Sequence, residues 1–322
     1  MATTIHSDTR STPIAIAPVK RISDHFRKHG VYWLMALPGL ILIFLFAYAP
    51  LPGIAIAFKN YKFNLGIWGS EWVGFNNFGY LFATRLTGRV LFNTLFMNTL
   101  FIATSTAAGV ILALLMNEVH HKLRARFYQS AMFFPSFISA VVISYFTLAF
   151  LSTDTGLINQ LIMRLGGEPI PWYSSPEYWP AILTLINLWK TAGFGSILYL
   201  AGMLAINPEY YEAAKIDGAS KLKQIRYITL PLITPILVIT TLLAIGRIFY
   251  ADFGLFYVVT RNTPQLYPTT DVIDTFVFRS LRQLGDLGMA AAAGFMQSVI
   301  GFVLVIASNL IVRRIDPDKA LF

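Results

Sequence analysis

The chain has 322 residues, of which 56% are hydrophobic and 13% charged, and it holds no cysteine. Soluble domains carry roughly 25% charged residues, so this shortfall, with a mean hydropathy of +0.60, excludes a soluble globular protein and indicates an all-α integral membrane protein. The net charge of +9 fits the enrichment of Lys and Arg on the cytoplasmic side of membrane proteins rather than nucleic-acid binding. Without cysteine there is no disulfide, zinc-thiolate or thiol nucleophile to consider.

Residues 1–30 read as a cytoplasmic N-terminal tail. It begins Ser/Thr/Ala/Pro-rich, a composition that builds no core, and continues over residues 20–29 as a basic stretch suited to an interfacial helix. Residues 31–90 make a second region: an apolar run over 31–58, then an aromatic and polar segment over 59–89 expected outside the membrane. The Ala-Tyr-Ala at 47–49 has the look of a signal-peptidase site, but the apolar run continues past it and is read as the first span. Trp68 and Trp72 suit a membrane-interface belt, with contact to a binding protein as the alternative. Further apolar runs follow at 91–116, 128–151, 180–203, 229–251 and 289–312. Each is near the ~20 residues that cross hydrocarbon as a helix, so about six spans are expected, with a core over 91–312 and a cytoplasmic tail over 313–322. The runs at 31–58 and 229–259 exceed one crossing and are expected to tilt or re-enter.

With the N-terminus inside, fifteen of the 25 Lys and Arg fall in inner segments and eight in outer ones. That bias predicts a multi-pass protein of the cytoplasmic (inner) membrane with both termini in the cytoplasm. It also places residues 207–231, the one long polar stretch with a strong local pattern, on the cytoplasmic face. Asn207 suits a helix N-cap and Pro208 the first helical position. Glu209 and Glu212 complement the helix dipole, Ala213 and Ala214 allow close approach, and Gly218 can end the helix in a left-handed conformation. A second short helix carrying Lys221, Lys223 and Arg226 is expected to follow, with Pro231 opening the next span.

At Glu212-Ala213-Ala214, Asp217-Gly218-Ala219, Ile228 and Leu230-Pro231-Leu232 the sequence resembles the permease subunits of ABC importers, in the form found in the carbohydrate-uptake branch. The resemblance extends along nearly the whole chain. WVGFNNF at 72–78 is similar to the segment before span two in sugar permeases. FFPSFISAVVISYF at 133–146, DTGLINQLI at 154–162 and IVRRIDPDKALF at 311–322 are similar to permeases for polysaccharides and large oligosaccharides, those of alginate importers among them. The resemblance implies a type I permease core in which Glu212, Ala213, Ala214, Asp217, Gly218 and Ala219 form a coupling helix seated on an ATPase. It also implies the partners: a second homologous permease, two ATP-binding-cassette subunits that hold ATP and Mg, an extracytoplasmic solute-binding protein, a carbohydrate cargo and membrane lipid. No cofactor is expected on this chain.

The chain lacks a G-x-x-x-x-G-K-[ST] phosphate loop, a G-x-S-x-G or H-E-x-x-H motif and paired carboxylates within its spans. No catalytic or metal-binding residue is therefore expected, and the protein is read as a non-enzymatic translocation subunit. His120-His121, in a basic loop, suits a phospholipid surface better than a metal. Within span four, Asn187, Lys190, Thr191 and Phe194 follow i, i+3, i+4, i+7 spacing and share one face. Hydrogen-bonding groups beside an aromatic ring suit a sugar, and Lys190 would suit an acidic one; pairing of Lys190 with a carboxylate or carbonyls of the partner permease is equally open. Arg247, about 24 Å along a regular helix from Pro231, shares a face with Tyr250, Ala251 and Gly254; it either lines the path or reaches outward to the interface. Asp252 is a poor helical partner for it. Tyr145 and Ser144 are weaker path candidates, Asn98 and Gln297 suit interhelical hydrogen bonds, and the small run Ala290–Gly294 suits close helix packing. An ion-coupled secondary sugar transporter, which would need intramembrane carboxylates, and a non-transporting membrane scaffold are the alternatives.

Overall fold

The computed structural model describes residues 30–82, 85–317 and 320. The tail expected over 1–30 lies outside the described residues apart from Gly30, as do residues 318, 319, 321 and 322. The chain divides into two compact units, one ending at Gly53 and the other starting at Ile54. In the first unit α1 (Gly30–Ile43) carries Pro38 inside it and passes into a π-helical turn at Phe44–Tyr48. The run Gly30–Phe58 is long and apolar enough to cross a membrane.

Near the start of the second unit, β1 (Lys59–Asn60) and β2 (Glu71–Trp72) pair antiparallel, with Lys59 opposite Trp72. This short ladder closes the loop that exposes Trp68. Phe58 stacks on Trp72 at 5.7 Å and meets Phe75 and Phe295 edge-on. α2 (Asn76–Phe82) follows, and Asn77 donates to the carbonyls of Ala57 and Lys59. The helices of the core are then α3 (Arg85–Asn117), α4 (Lys122–Phe133), α5 (Ala140–Leu151), α6 (Leu157–Arg164), α7 (Trp179–Leu204), α8 (Pro208–Ile216), α9 (Lys221–Gln224), α10 (Leu230–Gly246), α11 (Ile273–Leu284) and α12 (Leu287–Ile315). Among the described residues five helical runs are long and apolar enough to span a membrane, or six if the bent pair of α4 and α5 counts as one span. Many large apolar side chains stay exposed on these helices, as a hydrocarbon solvent permits.

α3 and α7 form the most extensive helix pair. Met97 and Phe101 of α3 are buried with Trp179 and Leu183 of α7, and lower down Ala113 and Met116 pack with Tyr199, Met203 and Ile233. α10 and α12 cross where a Cβ on Gly301 would overlap the carbonyl oxygen of Gly246, so glycine at 301 is what lets the two backbones meet.

Two expected spans are not continuous. The third, anticipated over 128–151, is bent by 95° between α4 and α5. Pro135 opens a 3-10 turn at Phe134–Phe137, and Ser139 caps the new helix through the Val142 amide. A proline ring removes a donor and clashes with the preceding turn, so the chain turns a corner instead of running on. The fifth, anticipated over 229–251, ends at Gly246: Arg247 leaves helical geometry, and helix resumes only as a π-helical turn at Gly254–Val259. The shared helical face assigned to Arg247, Tyr250, Ala251 and Gly254 therefore does not form.

Candidate functional site

The polar stretch between α7 and α10 folds as its residues direct. Asn207 Oδ1 accepts from the Glu209 amide at 3.1 Å, and Pro208 stands at the first helical position of α8. At the other end Gly218 adopts φ +74°. Its amide donates to the Lys215 carbonyl at 3.0 Å and the Ala219 amide to the Ala214 carbonyl at 2.8 Å. This pair of bonds is the Schellman cap, which needs a residue at ease in the left-handed region. α9 follows and passes through a π-helical turn into α10. Glu212, Ala213, Asp217 and Gly218 are exposed and Ala214 and Ala219 half-buried, while Ile216, 86% exposed, and Leu222 project apolar surface beside Lys215 and Lys223.

Three contacts that spacing did not reveal brace this loop, two within it and one to the end of α3. The Tyr211 hydroxyl lies 2.9 Å from Thr229 Oγ1. Gln224, 4% exposed, donates to the Ala219 carbonyl. Lys221 Nζ reaches both carboxylate oxygens of Glu118 at 2.9 Å, just past the end of α3. Glu118 is 103 residues away in sequence, and no local pattern could have pointed to it.

The expected path residues separate on folding. Asn187 Nδ2 donates to Ser105 Oγ of α3 at 3.0 Å, and Thr191 Oγ1 stands 3.3 Å from the same oxygen. These two side chains face α3. Phe194 and Tyr145 are exposed, at 67% and 64%, as is Arg247, while Ser144 is buried. Lys190 Nζ meets Asp252 Oδ2 at 3.3 Å, so its carboxylate partner belongs to this chain. The break after Gly246 folds Asp252 back beside α7 and makes this contact possible. Asp252 Oδ1 also accepts from the Leu255 amide and caps the turn that follows.

That break exposes backbone groups, and three of them are met by side chains from other elements. Asn98 of α3 donates to the Ile248 carbonyl and Gln297 of α12 to the Phe249 carbonyl, both at 2.7 Å. Asp274 of α11 accepts from the Ala251 amide at 2.8 Å and from Gln297 at 3.3 Å. Non-helical backbone at membrane depth persists only with such partners. Among the described residues no group of three or more His, Cys, Asp or Glu is placed to hold a metal ion.

Residues 105–317 match the family described as binding-protein-dependent transport system inner membrane component. Protein LplB of Bacillus subtilis (strain 168) is 35% identical over 89% of this chain and 89% of its own length. The polygalacturonan/rhamnogalacturonan transport system permease protein YteP of the same strain is 36% identical over 93% of this chain and 92% of its own. Among solved structures, a chain of a bacterial ABC transporter involved in the import of the acidic polysaccharide alginate superposes with a TM-score of 0.82 at 32% identity, covering 92% of this chain and 99% of that one.

Proposed function

The chain belongs to the inner-membrane components of binding-protein-dependent transport systems, the multi-pass permease subunits of ABC importers, and on that premise we propose that its cargo is an oligosaccharide or a fragment of an acidic polysaccharide. The names of two relatives support the cargo: one is a polygalacturonan/rhamnogalacturonan permease and the other belongs to an alginate importer. The family assignment sets aside the secondary transporter and the scaffold.

The observation that carries the mechanism is the capped loop at residues 207–231. A rigid helix, closed at both ends by its own hydrogen bonds, offers Glu212, Ala213, Ala214 and Ile216 to a partner. It is the docking element for an ATPase subunit, and both termini and this loop lie in the cytoplasm. The chain pairs with a second, related permease, and two ATPases and one binding protein complete the importer. Closure of the ATPases on nucleotide draws the two coupling helices together and turns the membrane core outward to take sugar from the binding protein. Cargo only selects among these states through differential affinity, so the work comes from the nucleotide cycle. Lys190, Phe194, Tyr145 and Arg247 contact the cargo on its way, while Asn187 and Thr191 hold α7 in register against α3.

The test is a reconstituted complex in liposomes, with ATPase rate and uptake measured across neutral and uronic oligosaccharides. ATPase activity should rise with sugar-loaded binding protein, and uronates should be preferred. A complex that responds to no carbohydrate would remove the cargo assignment.

A further inference from the structure

A cavity of about 390 Å3, wide open on one side, lies against α11, α12 and the broken end of span five, lined by Phe253, Asp274, Phe278, Ala290, Gly294 and Gln297 among others. That volume falls within the ~300–1,000 Å3 of small-molecule pockets. It sits at the end of the membrane core opposite the α8 loop, since α10 ends and α12 begins there. The run Ala290–Gly294, expected only to pack helices, divides in two. Ala292 and Ala293 are fully buried in the core, while Ala290 and Gly294 open onto the cavity.

Its chemistry is specific. Asp274 spends Oδ2 on Ala251 and Gln297, and Gln297 spends its amide nitrogen on Phe249 and Asp274. Among the described residues no hydrogen bond from another residue reaches Asp274 Oδ1 or Gln297 Oε1, so the cavity presents acceptors and calls for a donor. Phe253 and Phe278 stand edge to face at 4.9 Å and supply an apolar wall. An acyl chain has no donor to offer and would leave both acceptors unpaired. A carboxylate would meet a carboxylate.

We propose that this cavity is a subsite for one hydroxyl-rich sugar ring of the cargo, whose hydroxyls donate to Asp274 and Gln297 while its apolar face lies on Phe253 and Phe278. The assignment rests on the import of carbohydrate argued above. In an acidic cargo the ring enters by its hydroxyls, and the carboxylate is left for Lys190.

Two variants test it in the reconstituted complex. A Cβ on Gly294 meets nothing within 4 Å, so the backbone of α12 tolerates Gly294→Leu, and leucine is a better helix former than glycine. Asp274→Asn keeps an oxygen for Ala251 and turns the other acceptor into a donor. Both should lower oligosaccharide uptake about tenfold, a loss of about 1.4 kcal/mol, in complexes that still assemble by size-exclusion chromatography. Wild-type uptake with both variants at the same rate overturns the subsite and leaves the import reading standing. A loss with Asp274→Asn alone overturns it too, as it marks a structural bond only. Loss of a bound phospholipid from Gly294→Leu in native mass spectrometry, at unchanged uptake, gives the cavity to lipid. No uptake of any sugar by the wild type overturns the import reading itself.

Discussion

Gly218 is one position where a single backbone angle decides whether α8 ends as a docking element. At φ +74° any residue with a Cβ is strained, by roughly 1–2 kcal/mol. Gly218→Ala should therefore weaken co-purification of the ATPase subunits about fivefold or more, and Gly218→Asp or Glu212→Lys should uncouple or release them. Circular dichroism of the membrane chain should not change, because the cap lies outside the packed core. Normal assembly and transport in Gly218→Asp and Glu212→Lys together would refute the docking role. Lys190 and Asp252 pose a different question. With the Asp252 side chain 41% exposed, the pair contributes only ~0–1 kcal/mol to stability, so its use lies elsewhere. Asp252→Asn frees Lys190 and should sharpen the preference for uronic over neutral oligosaccharides; Lys190→Met should abolish that preference. An uptake ratio that neither variant moves would leave the pair a plain structural contact.

At the level of elements, the break in span five depends on side chains from three other helices. Asn98 and Gln297 were expected to bond between helices, and they do so at the carbonyls that the break leaves without a helical donor. Asn98→Leu or Gln297→Leu strands a buried carbonyl, at about 1–3 kcal/mol, and each should lower the thermal midpoint of the detergent-purified complex. The two carbonyls belong to adjacent residues, so the double variant should fall short of the sum. Unchanged midpoints would mean that water reaches the break. The elbow between α4 and α5 was legible in part: Pro135 inside an apolar run is a breaker signal, and a count of apolar residues passes over it. α5 alone rises only about 18 Å, less than the ~30 Å of hydrocarbon.

For the whole molecule, the proposed orientation has a clean test because the chain has no cysteine of its own. Single substitutions at Ser220, in the α8–α9 turn, and at Trp68, 81% exposed, can be probed in intact cells with a membrane-impermeant thiol reagent. Trp68→Cys should react from outside and Ser220→Cys only after the membrane is opened. The reverse pattern would invert the topology and move the docking loop away from ATP. The complete importer should in addition hydrolyse ATP faster when its binding protein carries sugar, which an ATPase assay with and without loaded binding protein measures.

The amino-acid sequence by itself determined the membrane class, the approximate number of spans, and the capped loop over 207–231. Each rests on local physics: apolar length against a fixed bilayer thickness, and hydrogen bonds between residues no more than five apart. The tertiary structure alone decided who meets whom. Lys190 finds Asp252 62 residues on, and Lys221 finds Glu118 103 residues back. Asn187 turns to Ser105, and Asp274 lines a cavity with a helix that follows it. Such pairings depend on how helices cross and where they break, and a periodicity of 3.6 residues carries no record of either.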